Sequence, residues 1–479
     1  MTAIVWFRRD LRLADNPALL AGHAHANNIV PVFIYAPHEE APWEPGAASN
    51  WWLHHSLAAL QRELAARGSK LVIRRGDSLS VLQELITETG ADAVFWNRLY
   101  EPAIIARDKM LKVALKADGL VAESFNAALI NEPWTIQTDA GAPYKVFTPY
   151  WRKARRVLPE IAVTAAPAAI ASTPVALESL DISALDLLPT LAWAEGFADV
   201  WTPGEAGGLE RLDTFVASVL QDYAEGRNHP GRVATSKLSP HLHFGEVSPR
   251  QVAVAVLQAT AESAALDTSA EKYLAEIGWR EFAHNLLYYF PETTEQPLYT
   301  KFHSFPWRDS NNADYRAWSA GSTGIPFIDA GMRELWQTGW MHNRVRMVVA
   351  SFLTKNQMVS WREGASWFWD TLVDADLASN TLGWQWAAGC GADAAPFFRI
   401  FNPVRQGERF DTEGIYVRQW CPELSALTTK QLQQPWTVSA EQLGAVGVIL
   451  GENYPEPVID LAQSRKDALE AYALMRELG

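Results

Sequence analysis

The stretch Gly339-Trp340-Met341-His342-Asn343-Arg344-Val345-Arg346-Met347 decides how this chain is read. At helical spacing, Trp340, Asn343, Arg344 and Met347 share one face. That face joins an indole, an amide, a guanidinium and a thioether, a mixture unlike a packed core. Arg344 or Arg346 can meet a phosphate, a carboxylate or another anion. Just downstream come Leu372-Val373-Asp374-Ala375-Asp376-Leu377-Ala378-Ser379-Asn380 and Gly383-Trp384-Gln385-Trp386. Two carboxylates at i and i+2 between apolar flanks suit an oxygen-rich metal site or a hydrogen-bonding frame. A divalent metal calls for more Asp, Glu or His nearby, so no metal is expected. The preferred frame pairs Asp374 with an arginine and lets Asp376 accept from a ligand beside Asn380. The plainer reading is a loop with capping acids.

Upstream, Glu271–Phe282 places Tyr273, Glu276 and Arg280 on one helical face, with Trp279 one turn from Glu276. An aromatic platform beside a carboxylate can hold a flat heterocycle. In isolation, a helix with surface ion pairs explains the pattern as well. Thr235-Ser236-Lys237-Leu238-Ser239-Pro240-His241 clusters hydroxyls before a turn and a further helix opened by Ser248-Pro249-Arg250. Free amides at a helix N-terminus suit a pyrophosphate. Taken alone, capping by Ser and Thr is the better reading.

Around these motifs the pattern is helical from Gly207 almost to the end. Leu209, Leu212, Phe215, Val216, Val219 and Leu220 fit one helix face, and Glu271–Tyr289 and Ile325–Thr338 repeat the period. The first 130 residues differ. Apolar runs at Ala3–Phe7, Ile29–Tyr35, Lys70–Arg74, Ala93–Trp96 and Leu120–Phe125 alternate with helical stretches such as Asn50–Arg67. That alternation predicts an α/β domain with a five-stranded parallel, doubly wound sheet, followed by a large all-α domain. The expected boundaries are 1–130, a connecting segment at 131–205 with its featureless part at Ile161–Pro174, and 206–479. No Gly-rich phosphate loop follows the first strand, where Arg8-Arg9-Asp10-Leu11-Arg12-Leu13 stands instead.

No apolar run approaches the ~20 residues of a membrane span. Charge directly after the first apolar run is wrong for a secretory signal, and two cysteines, Cys390 and Cys421, give no disulfide framework. A soluble, cytoplasmic protein is expected. The net charge of −14 opposes nucleic-acid binding unless a local basic patch exists. Twenty-one tryptophans, nine of them between residues 301 and 400, are otherwise explained by a large helical core. Eleven scattered histidines, including His54-His55 and His241-x-His243, lack the partner spacing of a zinc site and are read as structural.

Taken together, Trp6-Phe7-Arg8-Arg9-Asp10-Leu11-Arg12, the 339–347 stretch, Asp374–Asn380, Gly383–Trp386 and Arg399-Ile400-Phe401-Asn402-Pro403 resemble the photolyase/cryptochrome family. The resemblance spans nearly the whole chain and is closest to members that repair cyclobutane pyrimidine dimers. It implies an antenna domain followed by a domain that binds FAD, active as the reduced anion. Tyr223, Thr235, Ser236, Lys237, Leu238 and Ser239 would hold the ribityl–pyrophosphate part. Tyr273, Glu276, Arg280, Trp340 and Asn343 would line the pocket, and Arg346 would pair with Asp374. Asp376 would face the polar edge of the flavin ring, and Asn380 its N5.

The substrate would be UV-damaged DNA. Trp279 and Trp386 would sandwich a flipped dimer, with Arg227, Glu276, Asn343, Arg344 and Met347 at the mouth. Trp384, Trp361 and Trp307 match a relay carrying an electron from the surface to the flavin. A second chromophore is implied, a methenyltetrahydrofolate ahead of a deazaflavin, with Glu40, Trp51 and Glu101 as candidate contacts. Action as a monomer is expected. Arg152, Lys153, Arg155, Arg156, Arg227, Arg232, Lys237, Arg344 and Arg399 would supply the basic patch.

The alternative is a cryptochrome, a flavin photoreceptor without repair. Ala330–Trp336 and Phe368–Leu372 lean that way, whereas Met347, Asn380 and Trp386 favour repair. Asn343 speaks against a (6-4) photolyase, where a second histidine would stand. A non-photochemical flavin electron carrier leaves the residues of the substrate mouth unexplained.

Overall fold

The computed structural model describes residues 1–173 and 175–478; Pro174, which ends the featureless stretch, and Gly479 lie outside the described residues. Five strands, β1 (Thr2–Phe7), β2 (Asn28–Tyr35), β3 (Val72–Arg75), β4 (Ala93–Asn97) and β5 (Val121–Phe125), form one sheet in the order β3-β2-β1-β4-β5. Every pairing is parallel. The inner strands β1 and β4 are wholly buried, which is why they read as unbroken apolar runs. The strand order reverses between β1 and β4, so the crevice beyond their carboxyl ends is the natural ligand position of this half. Arg8 and Arg9 follow β1 there.

From Glu205 onward the described chain is helical. The Pro326–Thr338, Asn343–Ser351, Trp361–Thr371 and Leu377–Ala388 helices pack around one apolar core, and Asp267–Tyr289 crosses Leu377–Ala388. The stretch expected as one helix over 209–220 is broken. It runs as Glu205–Thr214, a wide π-turn at Phe215–Val219 and a tight turn at Leu220–Asp222. The wide turn matters because it brings Phe215, Leu220 and Tyr223 into a single core cluster.

The segment 131–205 packs into both halves. Ile136, Phe147, Tyr150, Trp151 and Leu158 join the core against Asp267–Tyr289, whereas Ile170, Ile182, Leu185, Phe197 and Trp201 join the core under the sheet. The sheet core also takes in Phe244, Trp340 and Val373 from the helical half. Several polar groups at this junction are paired across it. The Arg12 guanidinium donates to the carbonyls of Gly245 (2.8 Å), Asp15 (2.7 Å), Ala127 (3.0 Å) and Ala14 (3.1 Å). Asp15 in turn accepts from Ser248 (2.6 Å) and Arg250 (2.9 Å). Glu246, fully shielded from solvent, accepts from Trp52 Nε1 (2.9 Å) and Gly204 N (2.7 Å) and lies 2.5 Å from His241 Nδ1. Gly245 sits at φ +63°, and a Cβ there would stand 2.3 Å from the Arg9 carbonyl, so the turn needs glycine.

Arg12→Met strips four carbonyls of their donor while keeping most of the apolar stem. Unfolding in urea should show a loss of about 3 kcal/mol or more. A loss below about 1 kcal/mol would mean that the junction does not depend on this guanidinium.

Candidate functional site: a cavity in the helical half

A cavity of about 560 Å³ opens in the helical half. The Asp267–Tyr289 helix presents Glu276, Trp279, Arg280 and Ala283 to it, a spacing of three, four and seven that keeps them on one face. Asn343–Ser351 contributes Asn343, Arg344, Arg346, Met347 and Ala350. The Leu377–Ala388 helix and the turn before it contribute Asp374, Asp376, Asn380, Trp384 and Trp386. Arg227, Asn228, Ser239 and Phe368 complete the wall.

Most charges in the wall are paired. Arg346 Nη2 grips both oxygens of buried Asp374, at 2.9 and 3.1 Å, and its Nε donates to the Met341 carbonyl. Arg227 donates to Glu276 at 2.6 Å. Arg344 donates to Asn228 Oδ1 at 2.6 Å and lies 4.5 Å from the centroid of the Phe410 ring. Trp279 stacks on Phe147 with centroids 3.9 Å apart and planes within 9°. Trp386 stacks more loosely on Phe401 at 6.4 Å.

Asp376 caps Leu377–Ala388, with Oδ1 accepting from Ser379 N at 2.8 Å. Its Oδ2 faces His284 Nε2 at 3.5 Å and His243 Nδ1 at 3.8 Å. Burial opposes the charge on Asp376, yet the imidazoles of His284 and His243 in their protonated form, together with Arg280, more than offset it and hold the carboxyl well below the usual range. Burial also pushes the His284 imidazole down, against the pull of Asp376. Asn380 donates to the Ala365 carbonyl at 3.0 Å.

Other candidates stand outside the wall. Tyr273 packs on Phe215 and Tyr223, at 4.3 and 5.0 Å between centroids, and its hydroxyl meets Ser236 Oγ at 2.9 Å. Leu238 is buried, Thr235 and Ser236 are half-buried, and Lys237 sits at φ +50°. The Lys237 ammonium points inward over the rings of Trp340 (4.9 Å) and Trp201 (6.0 Å), where burial lowers its pKa. It is therefore no part of a surface patch. No side chain caps the short Ser239–His243 helix, so the capping reading of these hydroxyls does not hold. Ser248 does cap its own helix, in a capping box with Gln251.

The sequence places Trp340 on one helical face with Asn343, Arg344 and Met347, and the structure separates it. Gly339 at φ +67° ends the preceding helix, and the next begins at Asn343, where the His342 side chain accepts from Arg344 N at 3.1 Å. Trp340 instead packs into the sheet core and places its Nε1 3.3 Å from Ser239 Oγ.

Trp384 and Trp361 are buried in the helical core, and half-buried Trp307 packs against it. Gly364 leaves room for the Trp384 ring, which a Cβ would meet at 2.1 Å. Trp318 is also near, 6.1 Å from Trp384 between centroids.

Sequence reasoning misses Asn228, which reads as a turn residue, and the pair His243 and His284, which read as structural. His284 lies one turn beyond Arg280 on the same helix, and that spacing is the signal that points to it. Among the described residues no group of three or more His, Cys, Asp or Glu side chains is disposed to hold a metal ion. No described helix is long and apolar enough to cross a membrane. Both cysteines are buried and unpaired.

Two further cavities lie beyond the carboxyl ends of the strands. One of about 70 Å³ is lined by Trp6, Arg8, Arg9, Glu40 and Ser49, together with His243 and Ala375 from the helical half. One of about 260 Å³ is lined by Arg9, Glu40, Trp43, Glu101 and Trp369. Trp51 lines neither; it packs on Phe197 in the sheet core. Ala375 also lines the large cavity, so a single turn of chain separates the two sites.

Residues 273–474 match the family model described as the FAD binding domain of DNA photolyase, and residues 3–170 match DNA photolyase. A deoxyribodipyrimidine photo-lyase of Agrobacterium fabrum is 48% identical over 475 residues, covering 99% of this chain and 98% of the relative. Cryptochrome-1 of Arabidopsis thaliana is 40% identical, with 99% of this chain matched to 71% of the relative. The crystal structure of a bacterial class III photolyase from Agrobacterium tumefaciens aligns with a TM-score of 0.96 at 48% identity, covering 99% of this chain and 98% of that one. The chain belongs to the photolyase/cryptochrome family, as a DNA photolyase whose helical half is the FAD-binding domain.

Proposed function

We propose that this protein splits cyclobutane pyrimidine dimers in DNA, using light and reduced FAD held in the large cavity. The observation that carries the reading is the meeting, in one wall, of a flavin-sized pocket with two half-buried aromatic platforms, Trp279 and Trp386. The fit to FAD rests on features of the chain itself. No side chain caps the short helix that begins at Ser239, and His342 Nε2 is buried without a partner. Because His342 Nδ1 accepts from Arg344 N, the neutral ring carries its proton on Nε2 and offers a donor. Burial and the surrounding cations, Arg344 first, lower its pKa to about 3 and keep it neutral.

Tyr223, Thr235, Ser236, Lys237, Leu238, Ser239 and Trp340 would hold the ribityl–pyrophosphate part, with Tyr273 beneath them. Asp376, Asn380 and the Arg346–Asp374 pair would frame the ring. Arg280 would support that wall from behind, since its guanidinium donates to the Ala128 and Leu242 carbonyls. Bound, reduced and excited by light, FAD supplies one electron that opens the cyclobutane bonds and then returns. The protein binds, orients and excludes water. Trp279 and Trp386 take the flipped bases between their faces, which costs least at a damaged, poorly stacked step. Glu276 would hydrogen-bond the dimer carbonyls when it carries or shares a proton; in its charged form it is held by Arg227. Asn343, Arg344 and Met347 close the mouth. Trp384, in the cavity wall, buried Trp361 and half-buried Trp307, all packed in or against one core, would supply the relay to the surface.

The cavities at the strand ends suit a second chromophore, for which we favour a folate over a deazaflavin. Trp43 Nε1 and Glu101 Oε2 are buried without partners in the wall of the larger one. Carboxylates at Glu40 and Glu101 match the donor edge of a pterin, and the indoles of Trp43 and Trp369 offer it flat faces. Mass spectrometry of the chromophore released from purified protein identifies it, and a deazaflavin there overturns the folate reading.

Reduced protein under blue light should restore intact thymines in a dimer-containing oligonucleotide, with none restored in the dark. Glu276→Ala should slow this on the order of 100-fold. Trp384→Phe should block photoreduction yet leave repair by chemically reduced protein intact. A protein that binds and photoreduces FAD but repairs nothing would be a photoreceptor.

DNA affinity should fall with salt, and neutralising exposed Arg152, Arg156 and Arg232 together should flatten the slope of log K against log salt by about 0.9 for each phosphate they neutralise. An unchanged slope removes these residues from the interface.

A further inference from the structure

The charges of the large cavity leave one carboxylate without a guanidinium. Arg346 holds Asp374, and Arg227 holds Glu276. Arg280 gives its guanidinium to the Ala128 and Leu242 carbonyls. Asp376 is left facing two imidazoles, His284 at 3.5 Å and His243 at 3.8 Å. The tautomer of His284 follows from its other nitrogen. Nδ1 lies 2.9 Å from the Arg280 carbonyl oxygen, which can only accept, so Nδ1 carries the hydrogen. In the neutral ring, Nε2 therefore turns a lone pair toward Asp376 Oδ2. Two acceptors face each other across a gap that one proton would close.

We propose that His284 takes up this proton when the flavin in the cavity becomes anionic, so that the protein balances the new charge. The inference rests on the FAD reading given above. Two electrons from an external reductant and one proton convert bound FAD to its reduced anion. A second proton, from solvent, forms the N–H bond at His284 Nε2, and no other bond is made. The groups around His284 are Asp376 at the start of the Leu377–Ala388 helix, His243, Arg280 on its own helix, and Tyr100 and Glu101 from the loop after β4, with Arg9 after β1 paired to Glu101 and within electrostatic reach of Asp376. Asp376 and Glu101 favour the imidazolium, whereas burial and Arg280 oppose it. Burial prevails while the cavity holds no added charge, and the ring's pKa lies below 6.5. An anion arriving on the Asp376 side shifts the balance toward protonation. His284 is thus a positioning residue. It acts through Asp376, which can keep both its charge and its role as an acceptor beside a reduced flavin.

The test is the pH dependence of the flavin midpoint potential in the FAD-loaded protein, measured above the ordinary imidazole value with dithionite as reductant. Each proton taken up with two electrons changes the equilibrium tenfold per pH unit, about 30 mV. The wild type should show about 60 mV per pH unit, two protons' worth. His284→Gln and His284→Arg should each fall to about 30 mV, and His284→Arg, with its fixed charge, should hold the higher potential. His243→Gln should keep the wild-type slope. A purely structural role for His284 would weaken FAD binding in both variants and leave the slope alone.

Nitrogen NMR of imidazole-labelled wild type gives a readout that needs no variant. Nε2 of His284 should pass from a bare to a protonated signal on reduction. A wild-type slope of about 30 mV, a slope of about 60 mV kept by both His284 variants, or an unchanged Nε2 signal overturns the proposal. Loss of repair with the slope and the NMR change present overturns the repair reading alone. Protein that binds no FAD overturns both.

Discussion

A buried guanidinium must find acceptors wherever the chain leads, and Arg12 finds them on both sides of the line between sheet and helices. Its bonds to Gly245, Ala127, Asp15 and Ala14, together with those of Ser248 and Arg250 to Asp15, fix the Arg8–Asp15 loop against the turn after the Ser239–His243 helix. Parts of both sites hang from that junction. The same loop carries Arg9 into the cavities at the strand ends, and the same short helix carries Ser239 into the large cavity and His243 against Asp376. Breaking such a junction exposes several unpaired carbonyls at once, each costly in a dry interior. The two halves therefore have little freedom to slide.

Charge in the large cavity follows a second constraint. A site for the reduced, anionic flavin proposed above must limit fixed negative charge, yet the ring's donors call for carboxylates. The chain resolves this by pairing Asp374 with Arg346 and by setting Asp376 against imidazoles, which are cationic only when protonated. A guanidinium in place of His284 would hold its charge permanently. An imidazole there lets the charge follow the state of the cofactor.

The separation of the cavities also bears on function. Ala375 lines both the large cavity and the smaller one at the strand ends, and Trp369 and Glu40 line both cavities at the strand ends. A second chromophore reaching into the smaller of those cavities, as proposed above, would lie a turn of chain from the large cavity.

Local pattern is enough for the sheet, because inner parallel strands are buried on both faces and read as apolar runs; β1 and β4 match their runs to within a residue. It is enough for Glu276, Trp279 and Arg280, whose spacing on one long helix fixes their common face; for Asp374 it offers only an arginine partner, and the family resemblance is what points to Arg346. It fails where a side chain's surroundings come from distant parts of the chain. Trp340 leaves its expected face because one left-handed glycine and one histidine cap break the helix beside it. Lys237, read as part of a surface basic patch, turns inward over two indoles. His243 and His284, 41 residues apart in the chain, become partners of one carboxylate. The strands of the sheet and the common face of the long helix are legible in the chain, because they depend on neighbours a few positions away. Where a helix breaks, which charges are paired and which nitrogen of His284 carries its proton depend on groups that folding brings within hydrogen-bond reach.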